Sequence, residues 1–461
     1  FKQKTAYEIS TRDWSSDVCS SDLIHRKMHR HSPLPSHSRF GSIVEGFKGL
    51  LVGLAIVSSC VAQTTSGNNP ITREPIDSDP PAKWWKGNLH THSLWSDGND
   101  FPEVISDWYR QHGYHFLAIS DHNVLQHGMR WIEVNKVQER SHGQAMERYL
   151  GLFGKSWVET RGEPGTDKYQ VRLKPLDEYR YLLEQRNQFI LIPSEEITDS
   201  ADGHPVHMNA TNLDEVIKPV GGKTVREAME NNLRAVLEQE KAKGREILPH
   251  LNHPNFKYGI TFEDLAAVMS ERFFEVYNGH PDTHQLGNAK NPGVERMWDL
   301  ANHLRVNKLG GQVLFGVGTD DSHEYFGKKG SHPGRGWVMV RAKFLTPEHL
   351  IRAMKAGDFY ASSGTNLKDV HWDQQTKTLS LEIDPQEGVT YWTEYLVTTV
   401  DGEPEDIGSV GLATQALQSS YTLKKGETIV RAVVTASISP EDPVWEDQKQ
   451  QAWTQPFTSA D

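Results

Sequence analysis

The chain has 461 residues, 36% apolar and 9% aromatic, with a formal net charge of −12. That length allows about two or three globular domains. Residues 1–62 hold eight Lys/Arg against five Asp/Glu, which leaves 41 against 56, or −15, on the remainder. An acidic body without a basic run argues against a nucleic-acid groove.

Phe1 to Leu23 resembles translated sequencing-adapter sequence, so residues 1–27 are expected to be non-native and the natural start to be Met28. Residues 28–62 read as an export signal. Arg30, Arg39 and Lys48 precede the apolar run from Gly49 to Val57, which is too short to span a bilayer comfortably. Val57-Ser-Ser-Cys60 resembles a bacterial lipoprotein box with Cys60 as the acylated residue, and simple cleavage after Ala62 is the alternative. The expected location is the periplasm, with membrane attachment only through a lipid on Cys60, or else secretion. Cys19 lies in the adapter-like segment, so the mature body has no cysteine pair for a disulfide. Residues 63–82 are polar and contain Pro70, Pro80 and Pro81, as a tether would.

From residue 83 onward, short apolar runs end in His, Asp or Glu. His90-Thr-His92 is followed by Ser96-Asp97-Gly98. The run 115–120 leads into Asp121-His122, 189–193 into Glu195-Glu196, 246–249 into His250 and His253, and 313–317 into Asp320-Asp321-Ser-His323. His207 stands between the third and fourth of these segments, and 273–277 is a further run. Such runs fit buried strands. Helical patterns lie between them. Thr224 with Glu227 opens one that lasts to Gly244, and Thr346-Pro347 opens another that closes near Gly357. Alternating strands and helices predict parallel strands in a (β/α) barrel, with its site at the strand C-termini. His and carboxylates suit zinc, manganese or iron, and the absence of a thiolate argues against a zinc-finger type of site.

Residues 126–187 exceed a simple connection, and read as a substrate-selecting lid or as a helical decoration. Beyond 366, β-formers at 379–383, 391–395, 421–423 and 429–435 are separated by turns at Asp401-Gly402 and Lys425-Gly426. They predict a small antiparallel sandwich at 366–461, either a cap on the barrel or a polymer-binding module.

His-x-His with Ser-Asp-Gly, Ser-Asp-His-Asn at 120–123 and the late Asp-x-His together resemble the PHP (polymerase and histidinol phosphatase) superfamily, over roughly residues 84–365. Gly334–Val338 and Gly357–Gly364 resemble its carbaryl-hydrolase-like branch. The resemblance implies a distorted seven-stranded (β/α) barrel at 83–365 holding two or three divalent transition-metal ions, Mn, Zn or Fe. Carried over by position, His90, His92, Glu196 and Asp321 would hold one ion. Asp97, His122 and His323 would hold a second, and Glu196, His207 and His253 a third, with Glu196 bridging. Glu195, His204 and His250 are the rivals of Glu196, His207 and His253. Asp121 and Asp320 are expected to hydrogen-bond ligands or backbone. Arg335 is either a clamp for an anionic substrate group or a solvated surface residue. Glu196, Asp321 and Arg335 are the catalytic candidates.

The expected activity is metal-dependent hydrolysis of a small-molecule phosphoester by a metal-activated hydroxide. Hydrolysis of a carbamate, carboxylic ester or amide on the same centre is the alternative. Amidohydrolases also begin with His-x-His in a barrel, but Asp97, Asp121-His122 and Asp-x-His fit them less well. An exported metal-binding module without turnover remains the non-enzymatic reading.

Overall fold

The computed structural model describes residues 79–327 and 329–459; the adapter-like segment, the export signal with Cys60 and residues 63–78 of the tether lie outside them. Two large sheets organise the described residues, in a mixed α/β fold. In the ten-stranded sheet, the centre is Trp337–Ala342, paired antiparallel with Lys83–Asn88, which runs parallel to Phe116–Leu117 and so to Ile190–Leu191. The five-stranded sheet runs in the order Phe315–Thr319, Phe273–Asn278, Leu248–Leu251, His204–Thr211, Ser194–Ala201. Its first three strands are parallel and its last two are antiparallel.

The ladders therefore do not close into the expected seven-stranded barrel. One cause is visible in the sequence. Asp202 and Gly203 both adopt positive φ, 50° and 78°, the geometry of a type I′ turn that sends the chain straight back as a hairpin. The two sheets meet instead at isolated parallel bridges, Thr91 to Ser322 and His122 to Glu196. Both bridges lie among the candidate ligands, so the seam of the fold is also where its His and carboxylate groups gather.

The helices start and stop where capping chemistry places them. Thr224 accepts from the backbone N–H of Glu227 at the start of Val225–Lys243, and Gly244 ends that helix with φ 63°. Thr346 accepts from the N–H of His349 at the start of Pro347–Lys355. No helix among the described residues is long and apolar enough to cross a membrane.

The segment 126–187 is neither wholly helical nor a bare loop. It carries its own three-stranded sheet (Arg130–Glu133, Gln170–Leu173, Thr160–Arg161) and the helices Val134–Arg140, Ala145–Phe153 and Leu176–Leu183. Val137, Tyr149 and Leu173 bury against Leu94, Phe101 and Val104. A polar contact fixes the same junction. Glu103, fully buried in the helix Pro102–Gln111, accepts from Tyr149 Oη at 2.5 Å and Trp157 Nε1 at 3.1 Å.

Burial pushes the Glu103 carboxyl up to about 7, from an ordinary glutamate value near 4.3. Between those values the unfolded chain has lost a proton that the folded chain keeps, so this group makes stability fall as pH rises. Glu103→Gln keeps the accepting oxygen and removes the titration. Its melting temperature relative to wild type should rise from about pH 5 to about pH 8 and then level off. A difference that stays constant with pH would mean that the carboxyl is not held neutral.

The C-terminal strands form a sandwich that shares a sheet with the rest. Leu367–Asp373, Thr378–Ile383 and Gln418–Thr422 make one three-stranded layer. The opposite layer, Tyr391–Thr399, Glu427–Ala436 and Gln451–Thr454, continues the ten-stranded sheet through Phe359–Ser362. Leu379, Leu381, Tyr395, Val430 and Val434 fill the space between the layers.

Candidate metal centre

Residues two apart in extended chain share a side, and His90 and His92 leave the end of Lys83–Asn88 together. Both rings are fully buried. Their Nε2 atoms lie 3.1 and 3.3 Å from Asp321 Oδ1, and 3.6 and 3.4 Å from Glu196 Oε2. Glu196 and Asp321 thus both approach the two imidazoles, but in separate candidate groups, one of His90, His92 and Glu196 and the other of His90, His253 and Asp321. Asp321 is held there with φ 48°. Its Oδ2 accepts from Asn278 Nδ2 at 3.2 Å.

Asp97, His122 and His323 also meet. Asp97 Oδ2 lies 3.4 Å from His122 Nε2, and its Oδ1 3.4 Å from His323 Nε2. His92 stacks against both rings, at 4.4 and 4.0 Å between centroids. It belongs to this group as well as to the first. The Asp97 side chain is 52% exposed, so this group forms the open edge of the centre.

Glu196 divides its two oxygens. Oε2 faces His90, His92 and, at 2.7 Å, His122 Nδ1. Oε1 faces His207 Nδ1 at 3.0 Å and His253 Nε2 at 3.5 Å. The hairpin produces this placement, because its register puts His207 opposite Thr198, two residues from Glu196. Burial pushes the Glu196 carboxyl up, yet His122, His207 and His90 together hold it well below the ordinary range. Burial, with His323 and His122 alongside, lowers His92 to about 4. At neutral pH the pair offers a carboxylate and a neutral imidazole, the forms that bind cations.

The arrangement fits metal on its own geometry. The Nε2 atoms of His90 and His92, Oε2 of Glu196 and Nδ1 of His207 are buried and make no hydrogen bond. Each such atom ordinarily costs about 1–3 kcal/mol. Three of them, on His90, His92 and Glu196 Oε2, face one another, and His207 Nδ1 faces the other oxygen of Glu196, as cation sites on the two sides of that carboxylate require.

Glu195 and His204, two of the three rivals, fall on other sides. Glu195 points away from Glu196, as successive strand residues do. Its Oε1 accepts from the Ile217 N–H at 2.6 Å, and burial raises its carboxyl to about 8. His204 is exposed. His250 is buried 3.7 Å from Glu275 Oε1 with both ring nitrogens unpartnered, and with His90 and Glu275 it makes a further group that could hold a metal. Asp121 braces a loop, accepting from Ser93 N at 2.8 Å, Ser96 Oγ at 2.6 Å and Gln126 Nε2 at 2.8 Å. Asp320 accepts from Tyr109 Oη at 2.7 Å and from the N–H groups of Gly334 and Gly336 at 2.9 and 2.7 Å.

Arg335 is a correction. It is not a solvated surface residue, because it is buried and its Nε and Nη1 are committed within the chain. Nε donates to Asp442 Oδ2 at 2.9 Å, and Nη1 to the carbonyls of Gly279 and Gly330, each at 2.8 Å. It braces the loops beside the centre.

Sequence reasoning passed over Glu275. Fully buried in Phe273–Asn278, its Oε1 lies 2.7 Å from His90 Nδ1 and accepts from Thr319 Oγ1 at 2.6 Å. Its Oε2 accepts from the His253 N–H and from Asn278 Nδ2, both at 2.7 Å. Such partners set the orientation of a ligating imidazole. The available signal was a lone acid inside Phe-Phe-Glu-Val-Tyr, where the cost of burying a charge demands a reason. Asn252 was also missed; its Nδ2 donates to Glu196 Oε1 at 2.8 Å.

No protein-family model matches the chain, and no curated protein does. Among solved structures, it is similar to a two-domain protein of Bacteroides vulgatus containing a predicted PHP-like metal-dependent phosphoesterase. That likeness has 17% identity over 83% of this chain and 97% of the other, with a TM-score of 0.38. It is also similar to a protein of Bifidobacterium adolescentis whose name proposes a metal-dependent phosphoesterase. There the identity is 16% over 55% of this chain and 93% of the other, with a TM-score of 0.26. Neither likeness is close enough to carry residue roles across.

Proposed function

We propose that this chain is a metal-dependent hydrolase of the PHP type, and that its substrate is a small-molecule phosphoester. One observation carries the reading: Glu196 turns one oxygen to His90 and His92 and the other to His207 and His253. A carboxylate shared in this way suits a multinuclear centre rather than a single structural ion. His90, His92, Glu196 and Asp321 would hold one cation, Asp97, His122 and His323 a second, and Glu196, His207 and His253 a third. Bound cations supply Lewis acidity and lower the pKa of water.

The chain's own groups prepare that chemistry. Glu196 fixes the spacing between two ligand sets. Glu275 holds the His90 ring through its Nδ1. Asp97, His122 and His323 present the exposed edge at which substrate arrives. Because Arg335 is committed to Asp442 and two carbonyls, the centre itself would balance the charge of an anionic substrate. We read the two sheets, bridged at Thr91–Ser322 and His122–Glu196, as an opened and distorted form of the PHP barrel. We further propose export, with Cys60 as a lipid anchor.

Elemental analysis after incubation with manganese or zinc should find two or three ions per chain, because the candidate groups overlap and share His90, His92 and Glu196. The loaded protein should then turn over a phosphomonoester or phosphodiester in a panel that includes a carbamate. Faster turnover of the carbamate would move the assignment to the ester and amide class. Full loading without turnover of any substrate would leave a binding module.

A further inference from the structure

The strands Glu427–Ala436 and Gln451–Thr454 pair antiparallel, a connection that two residues can close. The chain instead spends residues 437–450 on an irregular segment between them, and long structureless connections in compact folds usually serve a function. This segment leaves the sandwich for the candidate metal centre. Val444 and Trp445 pack against the core that contains Tyr277, and Gln448 Nε2 donates to Tyr277 Oη at 3.0 Å. Tyr277 lies on Phe273–Asn278, the strand that carries Glu275. Asp442, in the same segment, accepts through Oδ2 from Arg335 Nε at 2.9 Å and lies 2.7 Å from His332 Nδ1. Partial burial pushes its carboxyl up, but the bonds to Arg335 and His332 hold it below the ordinary range, so it is charged at neutral pH.

Arg335 carries this hold to two loops, because its Nη1 donates to the carbonyls of Gly330 and Gly279. Gly330 precedes Ser331, which is fully buried. The Ser331 carbonyl accepts from the N–H groups of His323 and Glu324 at 3.1 and 2.9 Å, and its Oγ lies 3.2 Å from His323 Nδ1. With Nδ1 engaged there, the ring turns Nε2 towards Asp97. Gly279 follows Asn278, whose Nδ2 donates to Asp321 Oδ2. A Cβ on Gly279 would meet the Asp320 carbonyl oxygen at 2.7 Å and Arg335 Cβ at 2.9 Å, so the second loop is packed without slack. One guanidinium thus joins the loop behind His323 to the loop behind Asp321, and the carboxylate that orients it comes from the C-terminal sandwich. Without that carboxylate, Arg335 Nε would be a buried donor lacking its partner, and the fork could turn away from both carbonyls.

We propose that Asp442 is a positioning residue of the metal centre, through which the C-terminal sandwich sets the placement of His323 and Asp321. The inference rests on the metal-centre reading above and is independent of the class of ester hydrolysed.

The test is competition titration of the full chain with zinc against a chelator, paired with melting curves of the metal-free protein. Asp442→Asn keeps the size of the side chain and removes its charge. Its affinity for the ions held by His323 and Asp321 should fall tenfold or more, the usual loss when an outer partner of a ligand goes. The ion held by Glu196, His207 and His253 should stay, so loading falls by steps and not to zero. Asp442→Glu should recover part of the loss. Glu382→Gln, which breaks an exposed pair with Lys368 in the same sandwich, should change nothing. If Asp442→Asn does not fold, Arg335→Lys decides in the same assay, since it keeps the charge but cannot reach both carbonyls. Unchanged affinity for every ion, in a protein whose wild type holds two or three, would overturn this inference alone. Equal weakening of all ions together with a lower melting temperature would show a merely structural role and overturn it too. A wild type that binds fewer than two ions would overturn the metal-centre reading, and this inference with it.

Discussion

Glu196→Gln is expected to lose metal and turnover together, with kcat falling on the order of 10²–10³ by analogy with the loss of a key electrostatic group. The amide has nearly the same shape, so packing survives. What disappears is the negative charge between His90, His92 and His122 on one side and His207 and His253 on the other. Glu195→Gln is the internal control. Its carboxyl, raised to about 8 by burial, is already mostly neutral near pH 7, and an amide oxygen can still accept from Ile217. That variant should keep its metal and most of its activity. Equal and small effects at the two positions, measured by elemental analysis and initial rates, would remove the bridging role. A larger effect at Glu195 would place the strand one residue out of register.

The second large effect should come from Glu275, which ligates nothing in the proposed scheme. Glu275→Gln keeps an oxygen for His90 Nδ1–H but withdraws the charge that makes that imidazole a better ligand. Its new NH₂ would also face one of two donor sets, Thr319 Oγ1 on one side or the His253 N–H and Asn278 on the other. Metal affinity should fall roughly 10- to 100-fold, the usual cost of losing an outer partner of a ligand. The measurement is a competition titration against a chelator, paired with a melting curve of the metal-free protein. Unchanged affinity would show that His90 is oriented by its neighbours alone.

The contrast between these two glutamates shows what the sequence makes legible. Glu196 ends an apolar run, where polarity switches abruptly, and the switch marks it. Glu275 sits inside an apolar run, and a hydrophobicity pattern treats it as a blemish. His90 with His92 and Asp321 with His323 could be read because spacing along extended chain is local information. Which strands pair is not local. The length of an apolar run reports burial and says nothing of the neighbour, so alternating runs suggested parallel pairing throughout. The Asp202-Gly203 pair is a hairpin signal that went unread. Arg335 was misjudged because its partners are not local either. Its acceptors, the carbonyls of Gly279 and Gly330 and the carboxylate of Asp442, leave no trace in the residues that flank it.

The central pairing of the ten-stranded sheet also sets a timetable for making the protein. Trp85 donates its indole N–H to the Ala342 carbonyl, 257 residues later in the chain. At ribosomal rates of about 5–20 residues per second, the first strand waits roughly 13–51 s for its partner to be synthesised. Throughout that interval Trp84 and Trp85 lie on a strand whose Trp337–Ala342 side is unpaired. Fast local collapse cannot shorten the wait, which is set by the speed of translation. A nascent chain of this design spends its synthesis with an open β-edge, and so depends on whatever shelters that edge until the partner strand emerges.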